Sequence, residues 1–328
     1  MARPGTGVDK RDFDRVVNRV IKELGLEPSE AKKVVCKAVE GGEIHAAMQP
    51  TPWFEERFCP NTVSINEAGY TAMCIDALKI LGSTAATDFG GSRQRDLGQL
   101  WADMTRGYLG EYAVKEYLRI RWGIEVELGH ERGALEDYLP MDIHQIRDPQ
   151  GGSRPPKIGI GIKTTKWNGI WFDIPGDQFS HSDVHILVKI GTGRDHLFAY
   201  FKLLSVFRDK VLRRGVESGV LSEAESAALF ERLPSFQPIR AYICGFVASN
   251  AKYRNRDFDG WAGRTKYHIS AWNGPIRPGD VEAIKTESGC RSIEFQGIGS
   301  FQHDSGHLFN TGNLCWKPEQ WSDLIGQL

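Results

Sequence analysis

Three charged residues near the middle of the chain would form a reactive cluster if the fold brought them together. Glu111 lies in the stretch GYLGEYAVKEYL, Asp142 lies in LPMDIHQI, and Lys163 ends the apolar run KIGIGIK. Lysine is rarely buried in a protein unless it is paired. These residue types therefore indicate either a plain salt bridge or a site in which carboxylates and an amine act on a bound group.

The strand that carries Lys163 has an unusual composition on one face. Side chains alternate between the two faces of a strand, so the isoleucines of KIGIGIK point one way, and Gly159, Gly161 and Lys163 point the other way. Glycine inside a strand often marks the close approach of a ligand or of another backbone. We therefore expect an emptied face beside Lys163, with room for a ligand.

Neighbouring elements are expected to supply the partners of this lysine. The alternating segment IEVELG predicts a strand at 124–128, and MDIHQI predicts a second short strand that presents Asp142. A long helix from Leu97 to Trp122 carries Glu111. The glycines of RGYLG, just before Glu111, would allow that helix to approach the sheet closely.

The rest of the chain is predicted to combine helices with buried strands. Helical periodicity and end signals predict further helices in DKRDFDRVVNRVIKELG with a stop at Gly25, in PSEAKKVVCKAVEGG with a cap at Ser29, in NEAGYTAMCIDALKILG, and in VLSEAESAALFERL with a capping box at Ser222 and Glu225. Apolar runs predict strands at Asp183–Ile190, His196–Leu204 and Arg240–Ala248, the first two as a hairpin, and short strands in KYHISAW and RSIEFQGI.

Composition argues against several classes of protein. The chain of 328 residues has a formal net charge of −1 and six cysteines without a CxxC pair. No window approaches the roughly 20 apolar residues that a membrane helix needs. The N-terminus has no apolar signal-peptide core, and the GxxxxGK[ST] motif is absent. These features predict a cytoplasmic protein with reduced thiols, no membrane partner and no nucleotide cofactor.

The order of the parts around Lys163 resembles the PD-(D/E)XK nucleases, the restriction-endonuclease-like superfamily. The chain first has a helix with a glutamate, Glu111, and then a strand with an aspartate, Asp142. Next come a strand that ends in a lysine followed by threonines (GIGIKTT, Lys163) and a buried strand (DVHILVKI). The resemblance implies an α/β (α+β) fold with a mixed β-sheet core flanked by helices. We expect a helical N-terminal region at 1–94, the nuclease core at 95–250, and an irregular C-terminal extension at 251–328 that is structural or contacts DNA.

The resemblance also implies a function and a role for each site residue. The expected activity is Mg²⁺-dependent hydrolysis of double-stranded DNA by a homodimer, as in type II restriction endonucleases, with Mn²⁺ as a substitute. Asp142 would be the central metal ligand, joined by Glu111, by the main-chain carbonyl of Ile162 and, as a further candidate, by Glu127. Lys163 would position or help to deprotonate the attacking water and steady the charge on the phosphate.

One departure from the family pattern leaves alternatives open. The acidic residue that the family places two positions before its lysine falls at Gly161 in this chain. Glu111, Glu125 or Glu127 would then supply the missing carboxylate. The alternative is a DNA-binding protein with a catalytically degenerate nuclease fold, and a third interpretation is a nuclease of DNA repair or RNA processing.

Two further groups of residues are candidates for binding. Basic residues interspersed with aromatic residues and glycines suit contacts to DNA phosphates or base edges. The candidate DNA contacts are Arg93, Arg95, Lys166, Lys252, Arg254, Arg256, Arg264 and Lys266. The candidate ligands of a structural zinc ion are Cys290, His303, His307 and Cys315. The alternatives are ordinary exposed loops for the basic residues, and buried cysteines with loop histidines for the second group.

Overall fold

The computed structural model of this protein describes residues 7–81, 96–129, 141–147, 152–193, 195–248 and 306–328, and the short segments 268–269, 273–276 and 294–295. It is a mixed α/β structure in which helices flank a mixed sheet, so the predicted fold class is confirmed. Among these described residues, no helix has both the length and the apolar composition that are needed to cross a membrane.

Helices form where the sequence supplies apolar periodicity and end signals. The described α-helices are α1 (Lys10–Leu24), α2 (Pro28–Glu40), α3 (Pro50–Pro52), α4 (Glu67–Leu81), α5 (Leu97–Trp122), α6 (Gly176–His181), α7 (His196–Leu203), α8 (Arg213–Glu217), α9 (Glu223–Arg232) and α10 (Pro318–Ile325). Helix α1 ends as predicted at Gly25, which has a left-handed φ of 68°. Helix α9 begins at the predicted capping box of Ser222 and Glu225. The predicted cap at Ser29 is wrong, because α2 begins at Pro28, whose missing N–H suits the first turn.

The strands assemble into several sheets, and a four-stranded sheet carries Lys163. The described strands are β1 (Thr62–Ile65), β2 (Glu125–Leu128), β3 (Ile143–Arg147), β4 (Ser153–Arg154), β5 (Ile160–Lys166), β6 (Trp171–Pro175), β7 (Val184–Ile190), β8 (Ile239–Ala248), β9 (His268–Ile269), β10 (Asn273–Ile276), β11 (Glu294–Phe295) and β12 (Gly306–Asn310). The four-stranded sheet has the order β1-β8-β7-β5, and three-stranded sheets have the orders β2-β3-β4 and β10-β12-β6. Strands β5 and β7 run parallel, whereas β7 and β8 run antiparallel.

One predicted strand is a helix. The segment His196–Leu203 forms α7 and not the second strand of a hairpin. Its buried residues, His196, Ala199 and Tyr200, are spaced three and four positions apart along the chain, as on one face of a helix. A short apolar run fits a strand and a buried helix equally well by pattern, and tertiary packing decides between them. The antiparallel neighbour of β7 is β8.

The chain separates into two compact units, each built from several segments. One unit comprises Met1–Val63, Gly110–Ile190 and Ala241–Leu328, and the other comprises Ser64–Leu109 and Gly191–Arg240. In the first unit, buried apolar residues of α1 and α2 form one hydrophobic core with residues of β6, β7 and β8. The predicted division of the chain at residues 94 and 250 rests on the family resemblance and stays a prediction.

Two contacts bring predicted site residues towards β5. Asp142 immediately precedes β3, and its backbone N–H donates to the Ile160 carbonyl over 2.9 Å, which joins the start of β3 to β5. Helix α5 approaches the same strand at Gly110, where a Cβ atom would lie 1.9 Å from the Thr164 hydroxyl oxygen. The predicted close approach therefore occurs at Gly110, whereas a Cβ atom at Gly107 would meet no described atom within 4 Å.

Candidate functional site at the edge of a mixed sheet

Asp142 is held against β5 by a hydrogen bond to its carboxylate. Its Oδ2 accepts the Ile162 backbone N–H over 2.5 Å, and the residue is half-buried. In an extended strand the N–H and the C=O of one residue point to the same side. The Ile162 carbonyl oxygen therefore faces the side of the strand on which Asp142 lies, so two of the predicted oxygen ligands share one edge.

Lys163 is the next residue of β5 and is half-buried. Its Nζ donates to Oε1 of Gln178 over 2.5 Å. Burial lowers the pKa of the Lys163 ammonium below its ordinary value, and the negative charges of nearby carboxylates oppose that shift. These carboxylates belong to Asp142, Glu111 and Asp173. The three residues that were predicted as catalytic are therefore near enough for the charges of Asp142 and Glu111 to act on Lys163.

Asp173 is a further carboxylate whose charge acts on Lys163, and the sequence did not predict it as a site residue. It lies in β6, the strand that follows β5, and it lines a cavity of about 240 Å³ together with Lys163. A signal was present in the sequence, because Asp173 stands between Phe172 and Ile174 in an otherwise apolar strand. Those two neighbours are buried, so strand alternation turns the Asp173 side chain to the opposite face.

The face of β5 at Gly161 is filled, so the predicted empty space at this position is wrong. A Cβ atom there would lie 2.9 Å from Nδ1 of His185 and 3.2 Å from Oγ of Ser182. His185 stands opposite Gly161 on the parallel strand β7. The glycine allows the close approach of a neighbouring side chain instead of a ligand, and the open space lies farther along the strand, beside Lys163.

His185 is buried in an uncommon way for a histidine. It is 1% exposed, its Nε2 lies 3.3 Å from the Phe179 carbonyl oxygen, and its Nδ1 has no hydrogen-bond partner among the described residues. Burial is the largest cause that lowers the pKa of His185 to about 4, and the positive charge of Lys163 acts in the same direction. A bond to the Phe179 carbonyl requires Nε2 as the donor, which leaves an unshared electron pair on Nδ1.

The other glutamates that were predicted to replace the missing carboxylate differ from Glu111. Glu127 in β2 forms an ion pair with Arg147 of β3, with 2.6 Å between Oε1 and Nη2. Glu125 is exposed on the same strand as Glu127. Of these three glutamates, Glu111 is the one whose charge acts on Lys163.

The oxygen atoms at this edge of β5 suit a hard divalent cation. Mg²⁺ keeps several water molecules and is usually held by one or two carboxylates. Asp142 and the Ile162 carbonyl present oxygen atoms on one side of the strand, and the charge of the Glu111 carboxylate acts on the neighbouring Lys163. Within the described part of the chain, no three His, Cys, Asp or Glu side chains are grouped closely enough to hold a metal ion by themselves. A cation here would therefore rely on the main-chain oxygen and on water as well.

Most of the other predicted binding residues lie outside the described residues. These residues are Arg93, Arg95, Lys252, Arg254, Arg256, Arg264, Lys266, Cys290 and His303. Lys166 is exposed at the end of β5. His307 in β12 stacks on Phe179 with 3.5 Å between the ring centroids, and burial raises the pKa of the Cys315 thiol. The predicted zinc site and the predicted basic DNA contacts stay predictions.

A second lysine points to the same face of the sheet as Lys163. The parallel register of β5 and β7 pairs Lys189 with the residue two positions after Lys163. Lys189 is 3% exposed and forms an ion pair with Glu43, with 2.7 Å between Nζ and Oε1. The same carboxylate accepts hydrogen bonds from Tyr242 and Trp53. These contacts form a buried and compensated charge pair inside the core.

One fold class hosts many unrelated activities, so the chemistry of this site depends on its own geometry. The edge of β5 combines carboxylates, a main-chain carbonyl and a half-buried amine beside a cavity. Comparisons of the chain with protein-family models, with curated proteins and with solved structures found no match.

Proposed function

We propose that this protein is a Mg²⁺-dependent endonuclease that hydrolyses phosphodiester bonds of double-stranded DNA. The observation that carries the proposal is the half-buried Lys163 on β5, on which the charges of Asp142 and Glu111 act. Asp142 reaches this strand through its bond to the Ile162 N–H. An amine beside carboxylates and a carbonyl suits a reaction in which a metal ion and a water molecule act on a phosphate.

Each residue of the cluster has a defined role in this proposal. Asp142 and the Ile162 carbonyl hold the metal ion, and Glu111 completes the ligand set directly or through a water molecule. A Mg²⁺ ion held by these residues would polarise the phosphate and lower the pKa of the attacking water. The Lys163 amine donates a hydrogen bond to a phosphate oxygen and orients that water.

Burial gives Lys163 a second role. Because burial lowers the pKa of Lys163, a larger fraction of the amine is neutral at a given pH than for an exposed lysine. The neutral amine accepts a proton from the attacking water. The water oxygen then bonds to phosphorus while one P–O ester bond breaks, and the departing oxygen takes a proton from the solvent.

Double-stranded DNA is the proposed substrate because of the family resemblance and the basic residues around the predicted core. Lys166 is exposed three positions after Lys163, where it is available to a neighbouring phosphate group. We extend the proposal to sequence-specific cleavage by a homodimer, since a two-fold symmetric protein suits a palindromic site. Cleavage in DNA repair or RNA processing is the variant of this proposal that uses the same site.

One observation favours a second function, which is DNA binding without cleavage. Position 161 carries no carboxylate, and His185 occupies the space beside it. A nuclease fold that lacks a metal ligand still retains its surface for the DNA backbone. Cleavage and binding therefore have to be measured separately on the same protein.

Incubation of plasmid DNA and random duplex DNA with the protein and Mg²⁺ tests the proposal. The wild-type protein is expected to give discrete bands, and Asp142→Ala and Lys163→Ala are each expected to cut at least about 100-fold more slowly. Glu116→Gln is the matched control, because Glu116 pairs with Arg119 on α5 over 2.7 Å. This control is expected to cut at the wild-type rate.

Three other outcomes have distinct meanings. Wild-type rates for both Asp142→Ala and Lys163→Ala would contradict this assignment of the site. A mobility shift without cleavage in Mg²⁺ or Mn²⁺ would support DNA binding alone. Cleavage that depends on DNA structure, without discrete bands, would favour the repair nuclease over the restriction enzyme.

A further inference from the structure

Strand β5 has no room for an acidic side chain at position 161. A Cβ atom there would lie 2.9 Å from His185 Nδ1, a separation that real Cβ atoms essentially never show. His185 is 1% exposed and lies against the Phe179 carbonyl, so it cannot move aside into solvent. A further carboxylate for the Lys163 site therefore has to come from a different element.

Asp173 on β6 is in a position to supply that carboxylate. Strand β6 follows β5 after a turn in which the Gly169 N–H donates to the Lys166 carbonyl over 2.9 Å. Strand β6 is also held by its antiparallel pairing with β12, in which Asp173 stands opposite Leu308. The turn after β5 and the pairing with β12 therefore both fix the backbone near Asp173. This matters because a metal site requires ligands that are held in place before the ion binds.

The Asp173 side chain faces the cavity that Lys163 also lines. Its neighbours Phe172 and Ile174 belong to the hydrophobic core, so the carboxylate points to the opposite face of β6. The cavity has a volume of about 240 Å³, and the charge of Asp173 acts on Lys163. One water molecule takes roughly 30 Å³ in the liquid, so this space has room for a metal ion with several water molecules.

His185 lies on the same face of the sheet as Lys163, but it is not among the residues that line the cavity. Its buried Nδ1 has no hydrogen-bond partner among the described residues and is aimed at Gly161, two positions before Lys163 on the same face of β5. Buried polar atoms in proteins are nearly always hydrogen-bonded. This nitrogen faces the filled position at Gly161 and not the cavity, so the case for a cation rests on Asp173, Lys163 and the cavity that they line.

We propose that Asp173 is the second acidic ligand of a divalent-cation site at Lys163, in place of the carboxylate that Gly161 cannot carry. This inference rests on the proposed nuclease function and deepens it. Asp142, just before β3, and Asp173, on β6, then hold the cation, and Glu111 acts on it through water. In this proposal Asp173 replaces the acidic residue that is absent at position 161, so the site keeps two acidic ligands although β5 has a glycine there.

Binding of Mn²⁺ to the DNA-free protein, measured by electron paramagnetic resonance, tests this assignment without a cleavage assay. Asp173→Asn keeps the shape of the side chain and removes its charge, so it is expected to weaken Mn²⁺ binding at least about tenfold. Glu116→Gln is the control and is expected to bind Mn²⁺ like the wild type. Equal Mn²⁺ affinities of the wild type and Asp173→Asn would overturn the inference, as would a wild type that binds no Mn²⁺ at millimolar concentrations.

A measurement on the wild-type protein covers the case in which Asp173→Asn does not fold. Fe²⁺ with ascorbate and peroxide produces radicals that cut a protein backbone beside the bound metal ion. Cuts are expected in β5 near Lys163 and in β6 near Asp173, and cuts that spare β6 would overturn the assignment.

Failure of the nuclease proposal gives a different result from failure of this inference. Mn²⁺ binding that depends on Asp173, in a protein that cuts no DNA, refutes the nuclease and supports the cation site. DNA cleavage by Asp173→Asn at the wild-type rate, with unchanged Mn²⁺ affinity, refutes the role of Asp173 alone.

Discussion

Lys163 and Lys189 lie on the same face of one sheet, on neighbouring parallel strands, but their surroundings differ. Lys189 is 3% exposed, and Glu43 matches its charge at 2.7 Å while accepting a further hydrogen bond from Tyr242 at 2.8 Å. Lys163 is half-buried, donates to the neutral amide of Gln178 and lines a cavity. One lysine is enclosed in a core, and the other borders a space that a ligand can occupy.

This difference separates a stabilising ion pair from a candidate site. Burial alone would raise the pKa of Glu43, but the positive charges of Lys189 and Arg57 bring it down to about 2. For Lys163, burial lowers the pKa, and the nearby carboxylates do not cancel that effect. A buried charge with a close partner of opposite sign has a structural role. A charged group beside a cavity whose pKa is shifted by burial is a candidate for catalysis.

The largest expected effects come from replacing each lysine by methionine. Lys163→Met is expected to slow DNA cleavage at least about 100-fold and to change the free energy of unfolding by less than about 1 kcal/mol. Lys189→Met leaves the Glu43 carboxylate buried without its partner, so it is expected to lower the free energy of unfolding by about 3–5 kcal/mol. Cleavage rates and urea denaturation of both variants measure the two effects.

The double variant Glu43→Gln, Lys189→Met serves as the control for this prediction. Removal of both charges leaves Arg57 as a buried cation that keeps its hydrogen bonds to the Cys244 and Thr311 carbonyls, so the double variant is expected to recover part of the lost stability. If Lys189→Met were stable but inactive and Lys163→Met still cut DNA, Lys189 would be the candidate site residue and Lys163 would not.

A smaller effect is expected from His185, whose buried imidazole lies beside the Lys163 site. The folded protein holds its pKa at about 4 against an ordinary value of 6.5, so the unfolded chain binds more protons between these pH values. The stability that depends on His185 is therefore complete above pH 6.5 and is lost as the pH falls towards 4. Its size is at most about 3.5 kcal/mol, at about 1.4 kcal/mol for each pKa unit.

His185→Gln removes this titration, and thermal or urea unfolding between pH 4 and 7 measures it. The difference in the free energy of unfolding between wild type and variant is expected to change with pH in that interval. An identical pH dependence of the two proteins would show that His185 is not buried in its neutral form.

The smallest effect is expected from the glycine that brings α5 to β5. A Cβ atom at Gly110 would lie 1.9 Å from the Thr164 hydroxyl oxygen, so Gly110→Ala is expected to cost about 1–3 kcal/mol of stability. It also displaces the adjacent Glu111, so cleavage is expected to slow. Gly107→Ala is the matched control on the same helix, where the added methyl group meets no described atom within 4 Å and improves helix propensity by about 0.5–1 kcal/mol. Equal stabilities of the two variants would contradict the close approach of α5 to β5.

Local signals in the sequence were sufficient to predict about half of the elements. The left-handed Gly25 ends α1, the Ser222 and Glu225 capping box begins α9, and the apolar run at Val184–Ile190 forms β7. Each of these features acts over a few residues, so the amino-acid sequence alone determines it. The predicted order of a helix with Glu111, a strand with Asp142 and a strand with Lys163 depends on the same local patterns.

Tertiary structure alone decided which charged groups meet and which faces are filled. Glu43 and Lys189 are separated by 146 positions in the chain, and no local pattern links them. His185 fills the face at Gly161 because the parallel register of β5 and β7 puts the two residues opposite each other. The sequence showed the alternation of Asp173 with its apolar neighbours, but the tertiary fold brought it to the cavity that Lys163 also lines. A shift of one residue in strand pairing would turn each of these side chains to the other face of its sheet, so long-range register determines the site.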